Sequence, residues 1–242
     1  MDSLLERHVK DLVTDDHRAA AVFEKYSIDF CCGGKKSLQA ACAERGIDAE
    51  PVLKELQDLA AKSIKESTPF ARWELDALTD HIVERHHSYV REAIPVLLAH
   101  TQKIAQVHGG NHPELSSVAA YFQEIARELA HHMMKEERVL FPYIKSLALV
   151  ARGRAAFTAP PFGTIRNPIR MMEAEHQAAG NGLYAIREAT AEYVAPPDAC
   201  TTYQVTLKEL REFEEDLHQH VHLENNILFP KAVDLESGLL SR

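Results

Sequence analysis

His132-Met133-Met134-Lys135-Glu136-Glu137-Arg138-Val139-Leu140-Phe141-Pro142 returns later in the chain as His220-Val221-His222-Leu223-Glu224-Asn225-Asn226-Ile227-Leu228-Phe229-Pro230. Five of the eleven positions are identical, and Val139 and Ile227 match conservatively. Each copy has a histidine upstream at nearly the same distance, His87 45 residues before His132 and His176 44 residues before His220. A duplication of this kind predicts two αα-hairpins facing each other about a pseudo-twofold axis.

Helix geometry decides where these side chains point, because residues at i and i+4 lie one above the other on one face. The apolar stripe Phe122, Ile125, Leu129 continues into His132 and Glu136 and then Val139 and Leu140. The stripe Leu210, Phe213, Leu217 continues into His220, Glu224 and Leu228. The same holds for Val83, His87, Val90 and Ile94, and for Ile169, Met172, His176 and Leu183. The histidines and glutamates therefore extend core faces rather than interrupt surface ones.

Around these segments the chain reads as all-α. Apolar residues recur three and four apart, and only Gly46 lies between Gly34 and Gly109. Thr68-Pro69, His112-Pro113 and Asn167-Pro168 place caps before a first-turn proline. Turn-rich breaks fall at 108–113, 158–163 and 195–198. Four long helices follow, over 69–107, 113–150, 168–194 and 200–233, each about 40–55 Å long and suited to an up-down four-helix bundle. Pro95 and Pro142 should kink or end their helices.

Residues 1–62 instead hold four shorter helical patterns: 2–13, a Thr14-capped 15–26, a Ser37-capped 38–46 and 49–62. The charged stretch 62–68 joins this module to the bundle. The expected division is a small helical N-terminal domain at 1–66 and the bundle at 67–242.

Composition narrows the function. The 242 residues carry 27 Lys+Arg against 36 Asp+Glu, a net charge of −9, which excludes a nucleic-acid or anionic-membrane surface. A hydrophobic fraction of 45% with 26% charged residues excludes disorder. No apolar run is long enough to span a membrane and the N-terminus is polar, so a cytoplasmic location is expected. The 14 histidines stand out, 12 of them between His81 and His222. Imidazole is the commonest metal ligand.

Two carboxylates and four imidazoles at one level of an apolar interior would be strongly unfavourable alone, since each buried carboxylate costs several kcal/mol and two together resist ionising. A pair of cations removes the conflict, with two imidazoles on each metal and both carboxylates bridging. Mixed nitrogen and oxygen donors without thiolate favour iron or manganese over structural zinc. No HExxH motif is present for zinc-peptidase chemistry. His86 is an alternative to His87. His131, His218 and His222 are expected on the exposed side, and His108 reads as a helix-end cap. Glu175 either orients an imidazole and relays a proton or lies on a solvated face.

Cys31-Cys32-Gly33-Gly34-Lys35-Lys36 is the second outlier. Adjacent cysteines form a strained disulfide. The glycines permit left-handed backbone and close approach, and a following helix start with two lysines would lower a thiol pKa. Thiol exchange, nitrosyl or metal capture, partner docking and plain packing all remain open for Cys31 and Cys32. Cys42 and Cys200 lack this context and read as structural.

With Asp29-Phe30-Cys31-Cys32-Gly33-Gly34 beside Ile82 to His87, His132 to Glu137, Glu175-His176 and His220 to Pro230, the chain resembles the repair-of-iron-centres family of di-iron proteins. These join a small N-terminal domain to a haemerythrin-like bundle. The resemblance implies that His87, His132, Glu136, His176, His220 and Glu224 hold two non-haem iron ions, carboxylate- and oxo-bridged. It also implies repair of iron–sulfur clusters damaged by nitric oxide or oxidants, with damaged iron–sulfur proteins as partners and nitric oxide or oxygen as small ligands. A homodimer is compatible with this reading. Nitric oxide reduction at the two metals and oxygen or redox sensing are the alternatives. Oxygen-carrying haemerythrins use five histidines where this chain supplies four, which counts against a reversible oxygen carrier.

Overall fold

The computed structural model describes residues 2–61 and 70–241 and is all-helical, with one isolated antiparallel bridge, His8 to Ser37, among the described residues. The expected domain boundary near residue 66 and the helix start at Thr68-Pro69 lie outside the described residues. The chain divides into two compact units, one of residues 1–78 with 218–242 and one of residues 79–217.

The first unit begins with α1 (Asp2–Leu5), α2 (Val9–Asp15), α3 (Ala19–Lys25), α4 (Leu38–Arg45) and α5 (Ala49–Ala61). The expected helix over 2–13 is split. His8 is extended there, and Arg7 and Val9 exchange backbone hydrogen bonds with Leu38 and Lys36. Thr14 is not a cap, because it lies inside α2 and its hydroxyl donates to the Lys10 carbonyl. Arg18 precedes α3 without a side-chain cap, and Asp16 accepts its N–H. Ser37 does cap α4, accepting from the Ala40 N–H at 3.2 Å. Val9, Phe23, Leu38 and Val52 form a fully buried core.

The second unit is a four-helix bundle. α6 (Leu75–His81), a π-helical Ile82–His87 and α7 (Ser88–His108) follow without a break. α8 (Glu114–Lys135), a π-helical Glu136–Leu140 and α9 (Phe141–Ala151) do the same. α10 (Arg166–Ala189) and α11 (Thr201–Leu223) complete the set, and π-helical Glu224–Leu228 and α12 (Phe229–Leu240) follow in the chain and belong to the first unit. Phe213 of α11 packs edge-on against Phe122 of α8 and beside Tyr89 of α7, while Arg187 of α10 grips the buried Glu214 of α11. Burial of such aromatic side chains supplies the main driving force.

Proline behaves differently at its two expected break points. Pro95 sits inside the continuous α7. Pro142 and Pro230 fall in the first turns of α9 and α12, each directly after a π-segment. A proline has no N–H for the carbonyl four residues back and its ring crowds that carbonyl, so the Leu-Phe-Pro tail accounts for the same π-bulge in both copies. Val139, expected in the core stripe, is exposed and Leu140 buried, whereas Ile227, at the position of Val139 in the second copy, is buried. α10 also ends earlier than expected, at Ala189, because Ala191, Glu192 and Tyr193 all adopt positive φ.

Candidate metal centre

Two π-segments border the polar interior of the bundle unit, His87 ending one and Glu136 beginning the other, and in the other unit Glu224 begins a third. π-bulges widen a helix and recur at functional sites. His87, His132, Glu136, His176, His220 and Glu224 are all buried.

Within the bundle unit, Glu136 receives an imidazole on each oxygen. His87 Nε2 lies 3.4 Å from Oε2, and His132 Nε2 lies 3.3 Å from Oε1. His176 Nε2 stands 2.9 Å from His132 Nε2. His132, Glu136 and His176 offer ligand atoms within 4.8 Å of one another, a buried His/Glu cluster able to hold a metal ion. Of the neighbouring histidines, His87 faces Glu136, whereas His86 Nδ1 lies 3.1 Å from Asp216.

The far nitrogens of two imidazoles are held by carboxylates. His132 Nδ1 is 2.8 Å from Glu175, and His87 Nδ1 is 2.6 Å from Glu137. A carboxylate can only accept, so both Nδ1 atoms donate there, and both Nε2 atoms turn inward beside Glu136. Buried imidazole nitrogens converging on a buried carboxylate are a donor set suited to a cation, and the residues present fit a metal on this ground. Glu175 is thus half-buried against His132 rather than on a solvated face. That hydrogen bond, with Lys135, outweighs burial and holds its carboxyl down to about 2. Burial works to raise Glu137 as well, but His87 and Arg91 prevail and hold it below the usual range. Sequence reading missed Glu137. Adjacency to Glu136 was its one signal, and only the π-bulge turns both residues towards histidines.

In the other unit, His220 Nε2 lies 3.1 Å from Glu224 Oε1. Beyond it, the second copy meets the cysteine turn. Asp29 accepts from the backbone N–H groups of Cys31, Cys32 and Gly33 at 2.9, 3.1 and 2.8 Å. Asn226 donates to the Cys31 carbonyl at 3.1 Å, and the Asn225 amide lies 4.0 Å from the Cys32 sulfur. His222 was expected to be exposed but is buried, its ring edge-on to Phe30 and its Nε2 3.4 Å from the Thr14 hydroxyl. His218 is half-buried against Phe30 and Glu24, while His131 is exposed as expected.

The thiols also depart from expectation. Cys31 is buried, and its hydrogen bond to Cys32, burial and the charge of Asp29 push its pKa well up rather than down. Neither Gly33 nor Gly34 adopts positive φ. Close approach explains Gly34, where a Cβ would meet the Phe30 carbonyl oxygen at 2.3 Å. Cys42 is buried as expected of a structural residue. Cys200 is exposed, and the backbone N–H of Tyr203 and the imidazole of His108, 3.1 Å away, lower its pKa.

Fold and cluster define a haemerythrin-type cation-binding bundle, and the family model for the hemerythrin HHE cation binding domain matches residues 78–232. A second model, a domain of unknown function (DUF542), matches residues 5–60. The iron-sulfur cluster repair protein YtfE of Citrobacter koseri is 36% identical over 231 residues, 96% of this chain and 98% of the relative. The proteins of that name from Escherichia coli O17:K52:H18 and Shigella boydii serotype 4 are each 37% identical over 219 residues, covering 89% of this chain and 91% of the relative. The chain belongs to this family of haemerythrin-type iron–sulfur cluster repair proteins. No helix among the described residues is long and apolar enough to cross a membrane.

Proposed function

We propose that this protein restores iron–sulfur clusters damaged by nitrosative or oxidative stress, using a non-haem di-iron centre held by His87, His132, Glu136, His176, His220 and Glu224. The carrying observation is Glu136, a buried carboxylate with a different imidazole on each oxygen, in a chain so like named cluster repair proteins. That arrangement suits a carboxylate bridging two metals, with an oxo or hydroxo group as the further bridge. Glu224 starts the equivalent π-segment after His220, and the cation-binding family match spans all six residues. On α11, His220 follows Phe213 by seven residues, two turns on along the same face.

An iron pair supplies one-electron cycling and open positions for nitric oxide or oxygen. The protein's part is to hold the histidine nitrogens and the Glu136 carboxylate converged and to exclude bulk water with the surrounding apolar residues. Damaged iron–sulfur proteins are the proposed clients, in the cytoplasm. Cys32, the less buried cysteine of the turn, is the proposed point of thiol exchange or docking.

Metal analysis with Mössbauer spectroscopy, followed by reactivation of a nitric-oxide-damaged [4Fe–4S] dehydratase, tests this reading. Two irons per chain are expected. Glu136→Leu and Glu224→Leu should each lose at least one iron and abolish reactivation while leaving a helical protein. Survival of both the stoichiometry and the reactivation would overturn the assignment. Sustained nitrous oxide production by the wild type would favour an enzymatic nitric oxide reductase instead.

A further inference from the structure

Two histidines of the bundle cluster are gripped from behind by the same three-part device. Glu137 accepts from His87 Nδ1 and is itself ion-paired with Arg91. Glu175 accepts from His132 Nδ1 and is ion-paired with Lys135. In each case the cation lies one turn along the helical rod from the histidine it serves, Arg91 four residues after His87 and Lys135 three after His132. The carboxylate comes from a different rod, Glu137 from the π-segment after α8 and Glu175 from α10. Each device therefore ties a ligand to a neighbouring helix as well as to a charge.

We infer that Glu137 with Arg91, and Glu175 with Lys135, are positioning residues that act through His87 and His132 to set how firmly the metal pair is retained. The inference rests on the di-iron reading above. Imidazole has two nitrogens, and a metal needs the lone pair of the inner one in a fixed direction. A carboxylate on Nδ1 fixes both the tautomer and the ring plane. An unanchored glutamate would swing with its own rotamers. The bound cation removes that freedom, and its charge cancels the carboxylate, so neutral imidazole, carboxylate and cation sum to zero. Orientation is thus gained with no added net charge beside the metals.

The two devices serve different sides of Glu136. His87 approaches Oε2 and His132 approaches Oε1. Disturbing one device should therefore alter one iron more than the other, a signature that a general loss of packing would not produce.

The test uses the iron-loaded full chain, with ferrozine as chelator and Mössbauer doublets as the spectroscopic readout. Glu137→Leu should release iron about 10–100-fold faster and shift one of the two doublets. Glu137→Gln, whose amide oxygen can still accept from Nδ1, should stay within about threefold of wild type. Arg91→Ala should fall between the two. Lys135→Ala should shift the other doublet. If Glu137→Leu fails to fold, Arg91→Ala and Lys135→Ala carry the same comparison. Wild-type release rates with both doublets unmoved in the variants would overturn the positioning role alone. A wild-type chain that takes up no iron would instead overturn the di-iron reading on which it rests.

Discussion

The two copies of the eleven-residue motif share a backbone and part company in what they touch. Each begins a five-residue π-segment at its glutamate, and each buries its Leu-Phe pair. In the first copy the residue after the glutamate is Glu137, which reaches back to a histidine of the cluster. In the second copy, Asn225 and Asn226 stand in place of Glu137 and Arg138, and Asn226 grips the backbone of the cysteine turn. The buried His, Glu, Leu and Phe positions were kept, and the residues between them took different partners. A charge was useful beside an imidazole. An amide was useful beside a carbonyl, which needs a donor with no net charge left over.

The shared core gives the largest expected effect. Phe141→Ala and Phe229→Ala each empty a fully buried position and should each cost about 3–5 kcal/mol in denaturant unfolding. Costs differing by more than about 2 kcal/mol would break the equivalence of the two copies. Phe141 also stacks on the His87 ring, with centroids 5.7 Å apart, so its loss should additionally speed metal release.

Acid should separate the copies next. Burial of His222 lowers its pKa from 6.5 to about 4. The unfolded chain binds that proton first, so stability falls as pH drops from about 6.5 to about 4 and is level below. Glu175, held by His132, is lowered from 4.5 to about 2. Its contribution is intact above about pH 4.5 and is lost as pH falls towards about 2. Each limb is on the order of 3 kcal/mol at most, less for the partly exposed Glu175. Metal-free protein should therefore show two acid limbs, with His222→Gln flattening the upper and Glu175→Gln the lower. One limb that ignores both substitutions would contradict this order.

The smallest effect concerns the rim of the second copy. Asn226→Ala removes the donor to the Cys31 carbonyl and should cost about 1–2 kcal/mol. It should also speed alkylation of Cys31 measured against Cys200, the exposed thiol, which should label first in the wild type. Unchanged Cys31 labelling would mean that Asp29 alone holds the turn.

Much of this was legible beforehand. Periodicity and the repeat marked the rods, because burying one face of a long helix demands that pattern. The inward course of His132 and Glu136 followed from their place on the Phe122 stripe. The errors cluster where local rules met a distant neighbour. Val139 obeys α-periodicity yet is exposed, while Ile227 at the same place in the second copy is covered, so the neighbours of each copy decide it. His222 lies off the core stripe, yet Phe30 and Thr14 cover it, and no i+4 rule can announce a partner nearly two hundred residues away. Cys31 looked activated by nearby lysines and a helix start, whereas its hydrogen bond with Cys32, burial and Asp29 push its pKa up. Cys200 stands directly before α11, whose Tyr203 N–H lowers its pKa, and its histidine comes from the end of α7.

By itself the amino-acid order determined the helical class, the duplication and the donor atoms that can meet a metal, because each depends on spacing along one helix. Only the tertiary structure decided which nitrogen of each imidazole faces inward, which carboxylate and cation stand behind it, and which thiols are covered. Those outcomes depend on electrostatics and desolvation between side chains remote in sequence, and both take their values only once packing has fixed the distances.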